Sequence, residues 1–187
     1  KYMQYLQQLW ALATRNVILR YKHSIIGFLW GFLKPLLYLL IFIVIFSSQF
    51  NSASEQVRYI TSGILFWFFF SNVTLQGAHS IVQAAGLIKS LALPVSIFPL
   101  AEVLAEGFNL LLAFLVYLIL MIPFGMTYSS CLFYVMPVAV LFALFTFAIT
   151  LLLASLHVYY RDVGILWNTL QPALFYLTPI AYTEQLI

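Results

Sequence analysis

Charge is scarce in this sequence. Only 7% of its 187 residues are Asp, Glu, Lys or Arg, whereas a soluble domain carries about 25%. So few ionic groups cannot keep the surface of a water-soluble domain wet, and that class is excluded. Cysteine occurs once, at Cys131, so no internal disulfide framework is available. No Gly-x-x-x-x-Gly-Lys-Ser/Thr segment occurs, so if the work of this chain consumes ATP, another polypeptide supplies the site for it. The three histidines, His23, His79 and His157, are far apart in sequence. No Cys–His–acid group or serine triad is suggested, and neither a metal site nor a catalytic centre is expected. The small basic excess, a net charge of +3, is poor grounds for a nucleic-acid partner. Beside a membrane such charge more often fixes topology or touches anionic lipid.

What fills the sequence is hydrocarbon. Apolar residues make up 64% of it, and aromatic residues 18%, with 12 tyrosines and 18 phenylalanines. The few charges fall between long apolar runs. Cutting the chain there predicts five spans, at about 31–50, 59–75, 102–123, 131–156 and 164–183. A helix needs about 20 residues to cross the hydrocarbon core. Helices are preferred to a barrel because the runs lack alternating polar and apolar positions. The expectation is an all-α, polytopic membrane protein, with residues 31–187 forming the transmembrane domain.

Basic residues set the expected orientation. Lys1, Arg15, Arg20, Lys22 and Lys34 precede or open the first run, Lys89 follows the second, and Arg161 follows the fourth. Arg58 stands apart, with Glu55 nearby as a partial counter-charge. Basic residues in short loops favour the cytoplasm. This places the amino end, the loop 77–99 and the turn 157–163 on the cytoplasmic side.

Residues 1–30 read as an amphipathic interfacial segment. From Tyr2 to Arg20 the apolar residues Leu6, Leu9, Trp10, Ala13, Val17 and Ile18 recur at helical spacing, opposite Gln4, Gln8, Arg15 and Asn16. Such a helix rests among headgroups, the alternative being a frayed cytoplasmic end. In the loop 77–99, Ile81–Leu93 reads as a short helix, closed by Pro94 and followed by a helix that Pro99 helps to start. Gly86 marks a close backbone approach there. The segment is either a mechanical element pushed by a partner or an inert connector. Glu102 and Glu106, four residues apart, share one helical face and suit a packing or gating role in the inner layer. Arg161 is placed to anchor on phosphate, with Asp162 capping the last helix. Pro172 and Pro179 are expected to kink it. Tyr38, Tyr117, Tyr134 and Tyr176 lie within apolar runs, where their hydroxyls need partners. They suit either plain packing or a hydroxyl-rich ligand.

Several segments together resemble the permease subunits of ABC-2 type polysaccharide exporters, the family of O-antigen, capsule and teichoic-acid permeases. These are Arg20-Tyr21-Lys22-His23-Ser24-Ile25-Ile26-Gly27-Phe28-Leu29-Trp30 with Pro35, the Lys89…Pro94…Pro99 loop, Tyr159-Tyr160-Arg161-Asp162-Val163, and Thr178-Pro179-Ile180-Ala181-Tyr182. The first is the most specific. The resemblance implies the type V exporter fold, with five of six spans present and the re-entrant helices and sixth span beginning where the sequence stops at Ile187. It implies a bacterial inner-membrane protein that pairs with a second copy of itself and with two ATP-binding subunits, which hold ATP and Mg2+. This chain would bind no cofactor. The amino-terminal helix becomes a gate, with Arg15, Arg20 and Lys22 at the substrate headgroup, and His79, Gly86 and Lys89 fall in the coupling loop. The four tyrosines would line the path of a lipid-linked polysaccharide moving from the cytoplasm to the outer side of the membrane. Alternatives are an ABC-2 permease for a small lipid or drug, and a channel or scaffold with no ATPase partner.

Overall fold

The computed structural model describes residues 2–22, 29–46, 53–90, 93–122 and 132–180. Among them are seven helices and no strand: α1 (Tyr2–Tyr21), α2 (Trp30–Phe46), α3 (Ala53–Gln83), α4 (Ala85–Ser90), α5 (Ile97–Met121), α6 (Leu132–Tyr159) and α7 (Asp162–Leu177). The all-α expectation therefore holds for the described residues.

Helix α3 is the post around which the others stand. Phe42 of α2 packs with Val57, Ile60 and Ile64. Leu65 meets Tyr117 of α5, and Phe69 and Val73 meet Val103. Low numbers on α3 thus face high numbers on α2 and α5, so these helices run antiparallel to it. With α6 the order is parallel, because Phe66 packs edge-on to Phe142, Phe70 stacks on Phe145, and Gly77 faces Thr150. Helix α7 is antiparallel again, with Tyr59 bonded to the Pro179 carbonyl and Ser71 to Gln171.

The five-span expectation is corrected here. Among the described residues only two helices are long and apolar enough to cross a membrane, Ile97–Ile119 and Phe133–Tyr159. They correspond to the runs expected at 102–123 and 131–156. The other three fall short for distinct reasons. Within the described residues α2 has 17 residues and α7 has 16, lengths of roughly 25 Å against a hydrocarbon core of about 30 Å. At 31 residues α3 is long enough, but Ser71, Asn72, Thr74 and Gln76 dilute its apolar stretch. Run length alone does not register polar residues spread among apolar ones in this way.

The expected short helix Ile81–Leu93 also takes another form. Helix α3 runs on past Ser80, and after Ala84 the six-residue α4 follows almost without a break. The Ala84 amide donates to the Ser80 carbonyl at 3.1 Å, and the Ile88 amide to the Ala84 carbonyl at 3.0 Å, so helical bonding crosses the join. Pro99 sits in the first turn of α5, where its missing N–H costs nothing.

Gly77 is where α3 and α6 come closest. A methyl group on Gly77 would overlap the Thr150 methyl. Thr150 itself is fully buried and donates to the Thr146 carbonyl one turn back, so its hydroxyl is satisfied within α6. Gly77→Ala is expected to destabilise the protein by about 1–3 kcal/mol through overpacking. Thermal unfolding in detergent checks this, and an unchanged midpoint would show that the helices separate freely.

Candidate functional site

The site grows from the packing of α1. Leu9 and Ala13 are buried against Ala84, Ile97, Phe98 and Ala101, with Leu87 and Ile88 of α4 packed alongside. One apolar seam thus joins α1, α4 and the start of α5. The apolar residues of α1 do not form a single stripe. Leu6, Trp10 and Ile18 point away from the seam and are exposed, Trp10 by 71%. Periodicity found these residues but could not divide them between protein and surroundings.

At the end of the seam Asn16 donates to Glu102 Oε1 at 2.8 Å, bridging α1 and α5. Beside this bond lies a cavity of about 120 Å³, lined by Arg15, Asn16, Ser80, Gln83 and Glu102 among others. It holds both charge signs and several hydrogen-bonding groups, which suits a small polar or phosphate-bearing group. Arg15 is exposed at its rim, and Lys22 is exposed just after α1. Arg20 lies in the last turn of α1, and its side chain is outside the described set, as is the motif segment 23–28. Glu106, one turn on from Glu102, is buried and accepts from the Asn109 amide at 3.2 Å.

On α4, Gly86 and Lys89 are exposed. A methyl group on Gly86 would meet nothing within 4 Å among the described residues, so the close approach expected there is not made by any of them. At the turn into α7, Arg161 rather than Asp162 holds the N-cap position, without a side-chain capping bond. Asp162 lies in the first turn, where its charge complements the helix dipole.

The four tyrosines are not brought together. Tyr38 on α2 is 40% exposed, with its ring edge-on to Phe68. Tyr134 on α6 and Tyr176 on α7 are well exposed. Tyr117 is buried and lines an apolar cavity of about 140 Å³ with Leu65, Phe66 and Phe114.

Two polar clusters escaped the sequence reading. Gln171, buried on α7, accepts from the Ser71 hydroxyl at 2.7 Å and donates to the Ser71 carbonyl at 3.0 Å. Trp167 donates to the Thr74 hydroxyl at 2.9 Å, which tightens the same joint. The second cluster is His79 with His157, whose Nδ1 and Nε2 atoms lie 2.9 Å apart. Seventy-odd residues separate them, so only the parallel packing of α3 and α6 could reveal the pair. Among the described residues no group of three or more His, Cys, Asp or Glu side chains is arranged to hold a metal ion.

A family model described as "ABC-2 type transporter" matches residues 7–187. The chain belongs to that family of membrane permeases. It is 28% identical over 178 residues to an O-antigen export system permease protein, RfbA, of Klebsiella pneumoniae, covering 94% of this chain and 69% of that protein. Its identity to RfbA of Myxococcus xanthus is 31% over 183 residues, or 96% of this chain and 69% of that one. With the capsule polysaccharide export inner-membrane protein CtrC of Neisseria meningitidis serogroup B it shares 26% over 164 residues, 86% of this chain and 62% of the relative. The chain is accordingly a transport subunit of a membrane complex.

The Asn16–Glu102 bond is open to a double-mutant cycle. Asn16→Ala and Glu102→Ala should each lower stability, and the double variant should lose less than their sum. A coupling of about 1 kcal/mol is expected from thermal unfolding. Strict additivity would mean that the bond does not hold α1 in place.

Proposed function

We propose that this chain is the permease subunit of an ATP-driven exporter that moves a lipid-linked polysaccharide of the O-antigen type across the bacterial inner membrane. The observation that carries the reading is its likeness, along nearly its whole length, to O-antigen export permeases from two genera. The working complex holds a second copy of this chain and two ATP-binding subunits, and ATP and Mg2+ are bound by those partners. The amino end, α4 and the α6–α7 turn face the cytoplasm, in keeping with Arg15, Lys22, Lys89 and Arg161 at those places.

The seam supports a mechanical role. Gly86 and Lys89 leave an open surface on α4 for the ATP-binding subunit, while Leu87 and Ile88 pack against the cluster that also holds Leu9 and Ala13 of α1 and the head of α5. Displacing α4 therefore moves α1 and the head of α5 together. Residues 1–30 act as the gate, their exposed apolar side (Leu6, Trp10 and Ile18) resting on acyl chains. Arg15, Arg20 and Lys22 receive the phosphate groups of the lipid carrier, a task suited to charge-assisted hydrogen bonds. Exposed Tyr38, Tyr134 and Tyr176 offer ring faces to passing sugars, and the inner acids Glu102 and Glu106 fix the head of α5. Arg161 and Asp162 steady the entry to α7.

Arg15→Ala should reduce polysaccharide export about tenfold, the equivalent of one charge-assisted contact, while leaving co-purification of the ATP-binding subunit intact. Export assayed in cells, with pull-down of the tagged permease, checks both. Unchanged export removes Arg15 from the substrate path, and an absent ATP-binding subunit refutes the exporter reading as a whole.

A further inference from the structure

The histidine pair stands apart from the seam and joins three helices. His79 is on α3 and His157 at the end of α6, with their rings edge to face at a centroid distance of 4.3 Å. Gly164, in the first turn of α7, is pressed against both. A methyl group there would stand 2.5 Å from His79 Cε1 and 3.0 Å from His157 Cε1, so any larger residue would wedge the junction apart.

The direction of the hydrogen bond follows from burial. His157 is buried, and among the described residues its Nδ1 has no hydrogen-bond partner. An orphaned N–H is a rarer and costlier feature than an under-used lone pair. The His157 proton therefore sits on Nε2, which donates to the lone pair of His79 Nδ1. His79 in turn carries its own proton on Nε2, beside Gly164. Each ring has a defined tautomer set by the other.

The pair also lies where a movement would have to pass. Two backbone hydrogen bonds, from the Ala84 amide to Ser80 and from the Ile88 amide to Ala84, bridge the turn at Ala84 and tie α4 to the end of α3 as a lever. His79 is its last ring before that join. On the far side His157 is followed within a few residues by the turn at Arg161 and the start of α7.

We propose that the His79–His157 hydrogen bond, seated on Gly164, is the positioning contact that carries displacement of the α3–α4 lever into α6 and α7 during export. The inference rests on the exporter reading, since it needs a partner that pushes on α4. His79 acts from within the permease, behind the surface that the ATP-binding subunit meets.

The test uses the whole complex in inverted membrane vesicles, measuring ATP hydrolysed and polysaccharide moved. H79L and H157L remove the bond while keeping bulk. They should lower polysaccharide moved per ATP about fivefold or more, a typical coupling between sites, with hydrolysis maintained. H79N keeps an acceptor near the Nδ1 position, and H157Q keeps a donor near the Nε2 position, so both should restore the ratio. H79Q and H157N put their amides out of register and should not. This second comparison decides the matter if the leucine variants fail to assemble. A wild-type ratio in the leucine variants, or equal ratios for in-register and out-of-register amides, overturns the clasp alone. A wild-type complex that moves no polysaccharide overturns the exporter reading and the transmission role with it.

Discussion

Polar groups inside an apolar helix bundle have no water to fall back on, and that constraint shapes this molecule. Its helices carry threonine, serine, glutamine and histidine at positions packed by phenylalanine and leucine. Each must find a partner in protein or stay unsatisfied at considerable cost. Thr74, Thr146 and Thr150 solve the problem locally, donating to carbonyls one turn back in their own helices. Gln171 has too many donors and acceptors for that, so it reaches across to Ser71 and Thr74. That requirement ties α7 to α3 at one register. Phenylalanine packing alone tolerates sliding, whereas a buried amide bonded through both its oxygen and its nitrogen does not.

Close approach follows from the same demand. A hydrogen bond of about 3 Å between side chains on neighbouring helices needs backbones near enough to meet, and small residues supply the room. Gly164 against the two histidines is such a place, whereas Gly77 against Thr150 is a close approach made by packing, since Thr150 bonds within α6. Gly63 is a third, with Ile180 filling the space its side chain would take. The three glycines bring other elements close to α3, which accounts for its role as the post better than its hydrophobicity does.

Much of the architecture was legible in the residues. Apolar runs and proline positions located the bodies of α2, α5, α6 and α7, because helix formation in such runs is a local matter, although the run at 164–183 passes the end of α7 at Leu177. The motif at Arg20–Trp30 and its companions led to the right family. Membrane crossing was less legible. Run length counted α2, α3 and α7 as spans, yet among the described residues length and polarity leave only segments of α5 and α6 that qualify. The site was legible in kind but not in arrangement. Arg15 and Glu102 were singled out separately, and nothing in their spacing showed that Asn16 bridges the helices that carry them. His79 and His157 were set aside as too distant, since pairwise contact across parallel helices leaves no periodic trace.

The three polar joints divide the molecule in a way that bears on how it works. The Asn16–Glu102 bond and the apolar seam attach α1 to α4 and α5, on one side of the α3–α4 lever. The histidine pair and the Gln171 joint attach α6 and α7 on the other. Packing surfaces yield gradually, whereas a hydrogen bond between two defined tautomers is either made or broken. Both sides therefore hold their register through a discrete bond, and the apolar seam adds to it only on the side of α1.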